Sequence, residues 1–166
     1  MRSVIICISL LIASSVLGQK EETLLLEINS LPIKHGKIYE IQYYPGHGLK
    51  RVIDGVEITE ASDSVFSVCS AQVLRVLDLG TEWAIILKDS TGLIFAYANL
   101  KTAFVKKGDI VSQGNFLGLV GQLEDGTKML SFIICNSKGI IWSEKKTIEF
   151  LKKLQLPCNL QSIPIL

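Results

Sequence analysis

The chain has 166 residues, enough for one domain with a substantial core and short extensions. It is 48% hydrophobic and 20% charged with a formal net charge of +1, a balance that supplies no field to draw nucleic acid or a strongly acidic partner. Composition leaves an ordinary globular protein, and anything sharper must come from pattern.

The first residues carry one. Arg2 precedes an apolar run from Val4 to Val16, and Val16-Leu17-Gly18 closes it with a small residue. This is the layout of a secretory signal peptide, with cleavage expected near Gly18. The run is shorter than the roughly 20 residues that a membrane-spanning helix needs. No second long apolar segment follows. The expectation is an exported protein, periplasmic or extracellular, that does not span the membrane once the signal is removed. Cys7 leaves with the signal, while Cys69, Cys135 and Cys158 remain, so at least one thiol stays unpaired within the chain. Cys69 and Cys135 fall in strand-like stretches, where burial as small apolar side chains is expected. Their spacing does not suit a zinc knuckle, which needs closely paired ligands.

Residues 19–51 read as a weakly patterned N-terminal extension. Thr23 to Ile28 fits a strand or a turn of helix, and Pro32, Gly36, Pro45, Gly46 and Gly48 punctuate the remainder. Two placements are open for it, an edge strand or a cover over a neighbouring groove. Residues 52–142 are almost entirely β in pattern. Val73 to Leu77 is a short strand. Trp83 to Lys88 and Leu93 to Leu100 make a hairpin around Asp89-Ser90-Thr91-Gly92. Residues 105–121, VKKGDIVSQGNFLGLVG, place glycines where an extended chain turns and apolar residues where a strand points inward. That regularity predicts a tightly turned hairpin in a compact barrel or sandwich. A polar loop follows with Asp125-Gly126 at its tip, and Met129 to Asn136 pairs with Ile140 to Trp142 across Ser137-Lys138-Gly139. Residues 143–166 hold a short helix, with Ile148, Leu151 and Leu154 at helical spacing and Pro157 as its stop, then a tail.

The order of these elements resembles the lysostaphin/LytM family of zinc endopeptidases, which cut peptide cross-links in bacterial cell walls. VKKGDIVSQGNFLGLVG is similar to the family's valine-Gly-Asp-valine-glycine-leucine-Gly signature almost position for position. GLIFAYANL, Gly92 to Leu100, looks like the segment ending tyrosine-alanine-histidine-leucine. MLSFII, Met129 to Ile134, stands in the place of histidine-leucine-histidine-phenylalanine. IDGVEI aligns on Gly55 with histidine-x-glycine-x-aspartate. The resemblance covers roughly residues 52–142. It implies an all-β fold, a small antiparallel β-sandwich or barrel of the LytM-like duplicated hybrid motif type, here with a short C-terminal helix.

The scaffold matches and the chemistry does not. By the resemblance, the zinc ligands fall on Ile53, Glu57 and Ser131, and the two assisting histidines fall on Met129 and Asn99. A catalytic zinc needs three protein ligands and an open position. Isoleucine has no donor atom, a neutral hydroxyl is a poor ligand, and neither Met129 nor Asn99 exchanges a proton near neutral pH. Ile53, Glu57, Asn99, Met129 and Ser131 are therefore expected to line a degenerate binding groove with no catalytic residue, metal or cofactor. His47, Asp54 and Glu57 are close in sequence, but the Pro45-Gly46-His47-Gly48 turn offers no fixed surroundings for a metal. No G-x-S-x-G elbow, phosphate-binding loop or dinucleotide fingerprint is present. No base stands beside Cys69 or Cys135 in the sequence. Biotinyl and lipoyl carrier domains share the glycine pattern, yet Lys128-Met129 comes too late after it to be their modified lysine.

The expected function is an inactive exported LytM-like domain that binds cell-wall peptide or an envelope protein, for example a murein hydrolase that it regulates. The alternatives are an active zinc peptidase with relocated ligands, and a spacer or subunit of an exported assembly.

Overall fold

The computed structural model describes residues 21–42 and 55–155. The signal segment, the turn around His47, Ile53, Asp54, Pro157 and Cys158 lie outside the described residues.

Ten strands and one helix make up the described part. In chain order they are β1 (Glu21–Ile28), β2 (Gly36–Gln42), β3 (Val56–Thr59), β4 (Ser64–Phe66), β5 (Ala71–Asp78), β6 (Trp83–Asp89), β7 (Ile94–Ala103), β8 (Ile110–Val111), β9 (Phe116–Gln122), β10 (Lys128–Cys135) and α1 (Glu144–Leu154). All described strand pairings are antiparallel. The sheet runs β1-β2-β3-β10-β9-β7-β6-β5-β8, with β4 set against β9 and β10 also paired with β7. β10 is the hub. Met129–Phe132 pair with β3, Ser131–Cys135 pair with β7, and Lys128 and Met129 pair with β9.

Alternation decides which side chains enter the core. On β10, Leu130, Phe132 and Ile134 are buried; on β3, Val56 and Ile58; on β7, Phe95 and Tyr97. The rings of Tyr97 and Phe132 meet at 5.1 Å between centroids. Tyr97 is fully buried, and its hydroxyl accepts the Val68 amide at 3.0 Å. Burial pushes this phenol well above its ordinary pKa.

The Asp89–Gly92 hairpin forms as expected, with the Asp89 amide donating to the Leu93 carbonyl at 3.0 Å. The hairpin expected within residues 105–121 does not. β8 pairs with β5, whereas β9 pairs with β7, β4 and β10, so the two halves of that run diverge to different neighbours. Its glycines do turn the chain, Gly108 and Gly114 at φ of 95° and 82°, but partner choice is non-local and the pattern does not encode it. Nor do all its apolar residues point inward: Val111, Leu117 and Val120 are buried, while Ile110 is 75% and Phe116 40% exposed.

Of the two placements open for the extension, β1 and β2 take the edge. They form a hairpin that meets β3 through the single pair Lys37↔Thr59. Helix α1 starts one turn earlier than its apolar spacing predicts, because Ser143 caps it by accepting the Lys146 amide. Ile148 and Leu151 are buried. Gln155, just past the helix, grips the β1–β2 turn. Its Oε1 accepts the amides of Asn29 and Ser30 and the Ser30 hydroxyl, and its Nε2 donates to the Leu31 carbonyl at 2.8 Å.

Candidate functional site

The register of β10 brings four of the five expected positions together; Ile53 lies outside the described residues. Glu57 is the direct partner of Ser131 across β3–β10, and Ser131 is at the same time the partner of Ala98 across β10–β7. Met129 sits two residues before Ser131, and directly opposed residues share a sheet face. Glu57, Met129 and Ser131 therefore share the face opposite Leu130 and Phe132, and all three are half-buried.

Asn99 reaches this place through a bulge. Trp83 pairs with Leu100 and Ile85 with Tyr97, so Ala98 and Asn99 together oppose one residue of β6. Asn99 adopts φ of 59°, a left-handed conformation that asparagine tolerates better than most residues. Its Nδ2 donates to the Met129 carbonyl at 2.6 Å, which ties the bulge to β10. Gly121 lies beneath: a Cβ there would stand 2.6 Å from the Asn99 carbonyl oxygen. Gly55 has the same kind of role at φ of 91°, where a Cβ would stand 2.5 Å from the Phe132 carbonyl oxygen. Of the glycines that carried the resemblance, Gly55, Gly118 and Gly121 are thus places where backbones touch, whereas Gly108 and Gly114 turn the chain in open space.

This donor set does not fit a zinc ion. Ile53 offers no lone pair and Ser131 only a neutral hydroxyl. The amide hydrogens of Asn99 are directed at β10. Glu57 is left as one carboxylate where three ligands are needed. Among the described residues no group of three or more His, Cys, Asp or Glu side chains is arranged to hold a metal ion. Beside the site, Glu60 pairs with Lys37 at 2.6 Å and accepts the Tyr39 hydroxyl at 3.0 Å. The bond from Lys37, then that from Tyr39, holds its carboxyl below the usual range.

One cysteine departs from expectation. Cys69 is in a bend between β4 and β5 rather than in a strand, whereas Cys135 ends β10, and both are half-buried free thiols. Burial, and secondarily the Asp89 carboxylate, pushes the Cys69 thiol up to about 12, so it is no nucleophile near neutral pH. Lys128 forms an ion pair with Asp63 at 2.5 Å and begins β10, which is not a hairpin tip. Sequence reasoning missed one feature, a cluster of partly exposed phenylalanines at Phe66, Phe104 and Phe116. Its signal was the Phe-Val-Lys-Lys sequence at 104–107, which places a ring next to charge at a strand end.

The model of peptidase family M23 matches residues 51–141. No curated protein matches the chain. Among solved structures, a chain of the SpoIIQ–SpoIIIAH pore-forming complex is similar with a TM-score of 0.56 and 17% identity, over 73% of this chain and 90% of that one. A putative glycyl-glycine endopeptidase LytM from Ruminococcus gnavus gives 0.55 and 22%, over 80% of this chain and 63% of its own. The antimicrobial peptidase lysostaphin from Staphylococcus simulans gives 0.53 and 15%, over 74% of this chain, which spans 54% of lysostaphin. At these identities the likeness is one of fold, the mostly antiparallel β architecture described above. No helix among the described residues is long and apolar enough to cross a membrane.

Proposed function

The chain belongs to peptidase family M23, and on that premise we propose that it is an exported, catalytically inactive member that binds cell-wall peptide or an envelope protein on the face where the family holds its metal. In this reading residues 1–18 are a signal peptide, 19–51 an extension, 52–142 the binding domain and 143–166 a bracing helix and tail. The observation that carries it is the convergence of Glu57, Met129 and Ser131 on one face beside Asn99. Close-packed glycines at 55, 118 and 121 keep the scaffold, while that face offers a single carboxylate, Glu57, where a catalytic zinc needs three ligands. Apolar Met129, with a carboxylate and a hydroxyl beside it, makes a surface suited to peptide contact: an apolar floor with a few orienting polar groups. A protein of this fold in the SpoIIQ–SpoIIIAH complex supports protein binding as a use of the scaffold.

The test combines metal analysis, cleavage and capture. Purified full chain is expected to carry no stoichiometric zinc, to leave peptidoglycan intact, and to co-sediment with insoluble peptidoglycan or with a defined envelope protein. Met129→Ala and Ser131→Ala should weaken that capture by about tenfold together, the scale of a central contact residue. Bound zinc with cleavage would establish an active peptidase instead. Capture indifferent to both substitutions would leave the spacer reading.

A further inference from the structure

Three phenylalanines from separate segments meet on the surface. The Phe66 and Phe116 rings, on β4 and β9, lie 6.0 Å apart between centroids, and Phe116 lies 5.2 Å from Phe104, which follows β7. Phe104 is 60% and Phe116 40% exposed. Rings left open to water in a contiguous group mark a contact surface more often than isolated apolar residues do. The planes are inclined at 62° and 37°, so the rings present edges and faces together.

The charge around them is mostly positive. Lys101, Lys106 and Lys107 lie within three residues of Phe104, and all are exposed. Two acidic residues stand nearest along these segments. Asp63 is already paired with Lys128. Asp109 accepts the Lys106 backbone amide at 2.9 Å within its own turn and keeps its charge, which leaves one carboxylate against three ammonium groups. The surface is therefore apolar at its centre and positive beside it. Lysine stems can lie along apolar surface while their ammonium groups reach outward.

From this complementarity we propose that the Phe66–Phe104–Phe116 face docks on an anionic phospholipid bilayer, the rings entering the headgroup–acyl boundary and the lysines meeting lipid phosphates. This goes beyond the peptide-binding reading and uses none of its residues. Each lysine near an anionic surface adds attraction that falls with salt, and the rings add an apolar term that does not.

The probe is a vesicle of phosphatidylcholine, alone or with about a third phosphatidylglycerol, a composition that sets the surface charge. Full chain should partition onto the anionic vesicles about tenfold better than onto neutral ones, and less well at high salt. The double substitution Lys106→Glu, Lys107→Glu should remove that preference. Val4–Val16, where retained, binds vesicles on its own account, so the decisive readout is local. In Phe104→Trp, brominated lipid should quench the new indole beyond the quenching of Trp83 and Trp142 in the unsubstituted chain. Phe104→Ser should melt with the unsubstituted chain and bind anionic vesicles about tenfold less well, while what binding remains keeps its salt dependence. An unquenched indole at 104, or vesicle binding unchanged in the lysine variant, would overturn the proposal. So would a dimer, or capture on insoluble peptidoglycan, that Phe104→Ser abolishes, since the face would then belong to a second copy or to the wall.

Discussion

Asn99 offers a graded test of how the site is held. Two terms act at this residue: the left-handed backbone at φ of 59° and the 2.6 Å bond from its amide to the Met129 carbonyl. Glycine at 99 tolerates the backbone and loses the bond, which costs about 1 kcal/mol. Alanine loses the bond and also sets a Cβ in the left-handed region, for a total of about 2 kcal/mol. Aspartate keeps the shape but turns an acceptor toward an acceptor, and should cost about 3 kcal/mol at neutral pH. In urea melts followed by tryptophan fluorescence, the alanine variant's midpoint should fall by about 1 M at an ordinary slope. The aspartate variant adds a sign. Its folded-state carboxyl is raised, because only the protonated form can donate to Met129. Its deficit is therefore smallest, and constant, below the unfolded value of about 4, and grows as pH rises from there through the raised folded value. Equal losses for glycine and alanine would refute the backbone argument. A pH-independent aspartate variant would refute the hydrogen bond.

Other consequences are as direct. Tyr97→Phe strands the buried Val68 amide and should cost about 1–3 kcal/mol by urea denaturation, whereas Tyr39→Phe, at an exposed hydroxyl, should change stability little. Gly118→Ala places a Cβ 2.3 Å from the Thr102 carbonyl oxygen, and should destabilise by about 1–3 kcal/mol through separation of β7 and β9. With its thiol raised from 9.0 to about 12, Cys69 should hold about a thousandfold less thiolate than an ordinary cysteine at pH 8, read as slow iodoacetamide labelling by mass spectrometry. Labelling at the rate of a free thiol would show that the bend opens.

Local signals made much of this fold readable. The Asp89–Gly92 turn, the strands beside it and the apolar spacing of Ile148 and Leu151 each depend on neighbours in sequence, and the structure keeps them. The glycine-rich run misled where distance mattered. Its alternation orients Val111 and Leu117 inward, yet nothing in it selects β5 as the partner of β8 or β7 as that of β9. The candidate site was proposed only through the resemblance. No periodicity announces that Glu57 and Ser131 are opposed; that follows from the pairing of segments over seventy residues apart in the sequence. The phenylalanine face stayed hidden for a related reason. Alternation assigns a ring to the outer side of a strand without saying whether other chain covers it.

The hold of Gln155 on the β1–β2 turn bears on how the protein comes into being. The amides of Asn29 and Ser30 find their acceptor 126 and 125 residues later in the chain. At synthesis rates of about 5–20 residues per second, roughly 6–25 seconds separate the turn from its partner. Throughout that interval the bend of the first hairpin lacks its anchor. A nascent chain arrested before Gln155 should therefore be cut by protease within residues 29–31, and one extended past it should be spared.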